Sequence, residues 1–138
     1  MEQGRDDNVV LSVRNLTTYF YTEDGIVKAV DGVDLDVHRG DVLGLVGESG
    51  CGKSVTSFSI MRLVDMPGKI LDGQVLFEGQ DLLALDEKEM CRIRGDRLSM
   101  IFEQPGSCLN PVFRAGAQVA EQLQVHLEMS QDVAEDRA

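Results

Sequence analysis

The sequence has no tryptophan, only 3 prolines and 2 histidines, and far fewer basic than acidic residues, 13 against 24. A formal net charge of −11 repels a phosphate backbone, so general binding to nucleic acid is not expected. No apolar run approaches the ~20 residues that cross a bilayer. The opening residues Met1 to Asp7 lack the basic and apolar regions of a secretory signal, so the chain is expected to be soluble and to stay inside the cell. The cysteines, Cys51, Cys91 and Cys108, are odd in number and without Cys-x-x-Cys spacing, and His38 and His126 are the only histidines. Neither a disulfide framework nor a zinc site therefore has its ligands, and reduced thiols are expected. What remains is 138 residues, 43% apolar, enough for one compact core and at most one domain.

The chain reads as an N-terminal region of strands followed by alternating elements. Val9 to Val13 is a short strand, Ile26 to Val30 a second, and Val33, Leu35 and Val37 alternate with polar neighbours as in a strand with one wet face. The polar turn Thr22-Glu23-Asp24-Gly25 joins the first two as a hairpin. After the turn at His38 to Asp41, Val42 to Val46 is apolar without alternation, the pattern of a central parallel strand buried on both faces. A glycine-rich stretch follows, then a helix from Lys53 to about Leu63, stopped by Met66-Pro67-Gly68. Beyond it lie a strand at Val75 to Phe77 closed by Glu78-Gly79, and a helix to about Arg94 opened by Asp86 and Glu89. A strand at Leu98 to Phe102, the breakers Pro105, Gly106 and Pro111, and a helix from Gln118 to Met129 complete the pattern. There is no internal repeat, and Gln131 to Ala138 stays helix-permissive.

Gly47-Glu48-Ser49-Gly50-Cys51-Gly52-Lys53-Ser54 fits G-x-x-x-x-G-K-[ST], the phosphate-cradling Walker A loop. On this chain's composition a chance match has a probability of about 0.3%, and an apolar strand leads in while a helix leads out. Backbone N–H groups converge on a polyphosphate only if the loop wraps tightly, which Gly47, Gly50 and Gly52 permit, and the helix start adds the positive end of its dipole. Lys53 would reach the β- and γ-phosphates of a nucleotide, and the Ser54 hydroxyl would take a place in a Mg²⁺ shell. Cys51 occupies a free position of the motif. An adenine also needs an apolar or aromatic partner, and Tyr19, Phe20 and Tyr21 cluster upstream in a chain with 5 phenylalanines and 2 tyrosines. Either one of them stacks on the base, or alternate members simply face the core of the antiparallel sheet.

These residues resemble a known family, the ATP-binding subunits of ABC transporters, and within it those of bacterial and archaeal oligopeptide and dipeptide importers. The likeness runs through Tyr19 to Val37 (YFYTEDGIVKAVDGVDLDV), GESGCGKS at Gly47 to Ser54, Phe77 to Leu83, and Ile93 to Pro111 (IRGDRLSMIFEQPGSCLNP). Gly116, Gln118, Glu121, Gln122 and Leu123 match the helix that follows in the importers. The resemblance implies an α/β fold: a P-loop NTPase core with an N-terminal antiparallel β subdomain. Within residues 1–138 it implies the antiparallel sheet and P-loop core at about 8–111 and the start of a helical region at about 112–138. It implies ATP and Mg²⁺ as cofactors, held by Phe20, Gly47, Glu48, Ser49, Gly50, Cys51, Gly52, Lys53, Ser54 and Val55, with Phe20 stacking on adenine. The family's glutamine that senses the γ-phosphate and Mg²⁺ falls at Glu103, with Gln104 one position late. A carboxylate at Glu103 would ligate Mg²⁺ alongside Ser54 but adds negative charge beside the γ-phosphate. Lys53 and Glu103 are thus the catalytic candidates, and Cys108 replaces a serine.

The family's LSGGQ signature, its Asp-Glu strand end (Walker B) and its switch histidine do not occur in these 138 residues. The region reads as truncated before them, and without a base to orient water it is not expected to turn over ATP by itself. The implied partners are a second ATP-binding subunit in a homo- or heterodimer, transmembrane permease subunits and, indirectly, an extracytoplasmic peptide-binding protein, which sets the subunit at the cytoplasmic face of the cell membrane. The competing readings are another ABC importer or exporter, a soluble P-loop ATPase of DNA repair or translation, and a non-catalytic truncated nucleotide-binding module.

Overall fold

The computed structural model describes residues 8–103 and 108–138. The expected breakers Pro105 and Gly106, with Gln104, lie outside the described residues, as do Met1 to Asp7. The chain divides into two compact units, one ending at Leu85 and the other running from Asp86 to Ala138.

In the first unit, β1 (Val9–Thr22) and β2 (Gly25–His38) form a long hairpin, β3 (Gly68–Phe77) pairs with the other edge of β1, and the two-residue β4 (Gln80–Asp81) pairs with β3. The sheet is antiparallel throughout, in the order β2-β1-β3-β4. The hairpin loop is Glu23-Asp24, with Thr22 opposite Gly25 and the Thr22 hydroxyl donating to the Gly25 carbonyl at 2.8 Å. Both strands are longer than the alternation indicates, because bulges break their period. Asn15 takes a left-handed φ of 48°, its N–H held by Asp34 Oδ1 at 2.8 Å. In β2, Tyr19 pairs with Lys28 and Thr18 with Val30, so Ala29 is the extra residue. The tight turn at Glu78-Gly79, both with positive φ, joins β3 to β4.

One face of the sheet carries α1 (Lys53–Ile60). Val13, Leu16, Val30, Ile60, Met61, Val75, Phe77 and Leu82 form the core here, and the buried Thr18 and Ser59 hydroxyls meet at 2.8 Å across it. The helix ends at Ile60, short of the expected Leu63. Arg62 adopts φ 53°, and the N–H groups of Leu63 and Arg62 close back on the Phe58 and Ser59 carbonyls. The Arg62 guanidinium donates to the carbonyls of Leu82 (3.2 Å) and Leu85 (2.8 Å), fixing a turn that would ordinarily call for glycine.

Two expected strands are not formed. Val42 to Val46 has no regular structure, and Val42 and Val46 are each 98% exposed. A strand buried on both faces needs a ladder on each side, and none of the described residues pairs with this one. Leu98 to Phe102 makes only an isolated parallel bridge, Arg94 to Leu98, and Ile101 is 91% exposed.

In the second unit, α2 (Glu87–Ile93) opens on a capping box, in which Asp86 accepts from the Glu89 N–H at 2.8 Å and the Glu89 side chain accepts from the Asp86 N–H at 3.0 Å. It buries Met90 and Ile93. The expected helix at Gln118 to Met129 begins earlier, as α3 (Ala115–Leu127), because the Gln118 amide reaches back to bond Asn110 N–H (2.8 Å), Asn110 O (3.0 Å) and Phe113 O (3.2 Å). It stops at Glu128, whose φ of 52° is left-handed, and a short α4 (Gln131–Arg137) follows.

Candidate functional site

The glycine-rich stretch emerges from the irregular segment after β2 and turns into α1. The Cys51 N–H closes on the Glu48 carbonyl at 3.4 Å, and Gly50 and Gly52 have φ of 82° and 94°, which only glycine adopts without strain. Gly52 is the N-cap of α1, with no side chain bonded to the first turn, and the Thr56 N–H and hydroxyl are instead satisfied by the Gly52 carbonyl at 2.8 and 2.9 Å. Among the described residues no side chain caps this first turn, and uncapped leading N–H groups are the chemistry an anion requires.

Lys53 folds back over the loop. Its ammonium donates to the Gly47 carbonyl at 2.8 Å and the Glu48 carbonyl at 2.6 Å, and lies 3.5 Å from Cys51 Sγ. The ammonium thereby closes over the start of the loop, and Ser54, next in the chain, is exposed. Glu48 and Ser49 are exposed in the loop, and Val55 is half-buried on the first turn of α1. Among the described residues no group of three acidic, histidine or cysteine side chains is placed to hold a metal ion unaided. A Mg²⁺ ion here would need the Ser54 hydroxyl together with phosphate oxygens, which suits a cation that keeps several non-protein ligands.

What seats this loop is not in the motif. A Cβ on Gly52 would fall inside van der Waals contact of the Ala29 carbonyl oxygen, so the loop's end is pressed on the bulge of β2. Sequence reading did not find Ala29; the break in alternation between Lys28 and Val30 is the signal that could have pointed to it.

The three clustered aromatics part company. The Tyr19 hydroxyl donates to Asp31 Oδ1 at 2.6 Å with Lys28 Nζ 5.2 Å from its ring centroid, and Lys69 Nζ lies 5.7 Å from that of Tyr21. The Tyr19 hydroxyl first, and the Lys28 ammonium after it, hold the Asp31 carboxyl below the usual carboxylate range. Phe20, one residue along the strand and hence on the opposite face, is half-buried with its ring against Gly68, its partner on β3. Glu103 lies in the second unit, exposed, in a bend immediately before Gln104.

A glycine loop that runs into an uncapped helix, set on the edge of an antiparallel sheet and closed by a lysine, defines a phosphate-loop nucleotide-binding protein. The comparisons agree. A dimeric structure of a post-hydrolysis state of the ATP-binding cassette MJ0796, bound to ADP and Pi, superposes with a TM-score of 0.76 at 26% identity over 92% of this chain and 53% of that one. Residues 30–137 match the ABC transporter family, and the chain belongs to it. Relatives include the probable peptide ABC transporter ATP-binding protein y4tR of Sinorhizobium fredii, 43% identical over 100% of this chain and 42% of its own length. The oligopeptide transport protein AppD of Bacillus subtilis is 46% identical over 95% of this chain and 40% of its own, and the dipeptide transport protein DppD of that organism 49% over 91% and 38%. The chain thus spans about two fifths of the length of these curated relatives. No helix among the described residues is long and apolar enough to cross a membrane.

Proposed function

We propose that this protein is the ATP-binding subunit of a transporter that couples ATP binding and hydrolysis to the import of peptides. Three relatives named for peptide, oligopeptide and dipeptide transport, at 43–49% identity, support the substrate class. The observation that carries the nucleotide site is the Lys53 ammonium folded onto the Gly47 and Glu48 carbonyls at the mouth of a loop that feeds an uncapped helix.

In this reading the loop N–H groups from Gly47 to Gly52 and the first turn of α1 hold the β- and γ-phosphates, Lys53 turns from the loop carbonyls towards them, and Phe20 stacks on the adenine. Ser54 is the side chain that would hold a Mg²⁺ ion in this unit, and the charge neutralisation of the phosphates would come from that ion. In sequence Glu103 takes the position of the family's γ-phosphate-sensing glutamine; a carboxylate in that role would ligate Mg²⁺ but add negative charge beside the γ-phosphate. The subunit works at the cytoplasmic face of the membrane as one of a pair, with permease subunits and an extracytoplasmic peptide-binding protein. ATP favours the closed pair because it touches both halves. These 138 residues bind nucleotide without the motifs that position the attacking water.

The test is a calorimetric titration of Mg-ATP into the protein and into Lys53→Ala at fixed ionic strength. The variant loses a charge-assisted contact to phosphate, and its Kd is expected to rise at least about thirtyfold. Equal affinity in both would refute the assignment.

A further inference from the structure

We infer that Gly68 is a positioning residue for recognition of the nucleotide's base, a role that rests on the phosphate-loop reading above. Gly68 opens β3 directly opposite Phe20 of β1, and its N–H bonds the Asp65 carbonyl at 2.8 Å. It is buried, and a Cβ there would lie 2.7 Å from Phe20 Cε1, 2.9 Å from Phe20 Cζ and 2.5 Å from Val64 Cγ1. Real Cβ atoms do not approach carbons so closely, so the Phe20 ring lies where it does because position 68 has no side chain.

The kind of obstruction separates this glycine from others in the unit. At Gly52 a Cβ meets the Ala29 carbonyl, and at Gly73 it meets Leu16 Cα at 2.7 Å and backbone oxygens of Arg14 and Asn15, so in both cases main chain would have to move. At Gly68 all three obstructing atoms are the ends of side chains, and the backbone there is not left-handed. Alanine at 68 therefore displaces the Phe20 ring and the Val64 methyl while leaving strand pairing intact. Phe20 is part-exposed, and the ring is the only part of it that can meet a base. A small residue at 68 thus sets the ring's height over β3 and, with it, the stacking plane offered to an adenine.

The test separates the base from the phosphates. Mg-ATP and inorganic triphosphate with Mg²⁺ are each titrated into the wild type, Gly68→Ala, Phe20→Ala and the double variant, with circular dichroism and urea denaturation as a check on folding. Gly68→Ala is expected to weaken ATP about tenfold, the scale of one lost base-stacking contact, with the triphosphate Kd unchanged within about twofold. In the Phe20→Ala background the same substitution is expected to change the ATP-to-triphosphate ratio no further, since there is no ring left to displace. An unchanged ratio in Gly68→Ala, equal loss of both ligands, or failure of Gly68→Ala to fold would each overturn the inference. Failure of the nucleotide reading itself looks different: the wild type would then bind neither ligand, or Lys53→Ala would bind both as well as the wild type.

Discussion

Replacing Gly52 by alanine perturbs the contact that seats the phosphate loop on the sheet. With φ at 94°, any Cβ at this position is strained by about 1–2 kcal/mol. Gly50, at φ 82°, carries the same backbone strain but has nothing within 4 Å of where its Cβ would stand. The two substitutions thus share one penalty and differ in a single contact, that of Gly52 with the Ala29 carbonyl oxygen. Ala29 is fixed between Lys28 and Val30, both paired with β1, so the oxygen cannot swing aside as a side-chain atom would. Relief requires the loop's end to lift from β2 or the bulge to rearrange, an overpacking penalty of about 1–3 kcal/mol. Gly50→Ala is expected to destabilise by about 1 kcal/mol, part of its strain being offset by the smaller entropy of the unfolded chain. Gly52→Ala is expected to destabilise by about 3 kcal/mol, which for a domain of this size lowers Tm by roughly 10 °C. Urea and thermal unfolding followed by circular dichroism, without nucleotide, measure both. If the two variants are equally destabilised, the packing of the loop on Ala29 contributes nothing and the reasoning fails.

Two further outcomes follow from contacts in the same unit. Ser59 Oγ donates to the Val55 carbonyl at 2.7 Å, so the buried Thr18–Ser59 bond is donated by Thr18; Thr18→Val and Ser59→Ala should each destabilise by about 1–2 kcal/mol, and the double variant by clearly less than their sum. Additive losses in urea titrations would remove the pair as a coupling between sheet and helix. Asp36 is held below its ordinary 3.8 chiefly by the hydrogen bond from the Arg14 guanidinium, and Asp31 chiefly by that from the Tyr19 hydroxyl. A carboxyl whose folded pKa is depressed contributes stability that is complete above its unfolded value and lost as the pH falls through the folded one. The urea midpoint should therefore be insensitive to these groups above about pH 5 and fall on acidification below it, with a shallower acid limb in Asp36→Asn. An unaltered limb would mean that the Arg14–Asp36 pair, 2.7 Å apart at the surface, is without thermodynamic effect.

The elements legible in the sequence are those whose causes are local. Asp86 and Glu89 cap α2 because their side chains and backbone N–H groups lie within one turn of each other, and the hairpin at Glu23-Asp24 follows from four adjacent residues. The glycine spacing from Gly47 to Gly52 sets which backbone angles that stretch can adopt, and Lys53 is close enough in the chain to close over it. Reach in space decided the rest. The lengths of β1 and β2 depend on bulges at Asn15 and Ala29, which are defined only by a partner strand and leave no period of their own. The end of α1 at Ile60 hinges on an arginine tied to carbonyls 20 and 23 residues away, and no propensity of Arg62 announces it. An apolar run such as Val42 to Val46 records a preference for burial, but a strand needs partners for its N–H and C=O groups, and whether they are present is a property of the assembled sheet. The fate of the three aromatics divides in the same way: residue order placed Tyr19, Phe20 and Tyr21 together, and only the pairing of β1 with β3 set Phe20 against Gly68 while its neighbours took charged partners, Asp31 and Lys28 for Tyr19 and Lys69 for Tyr21.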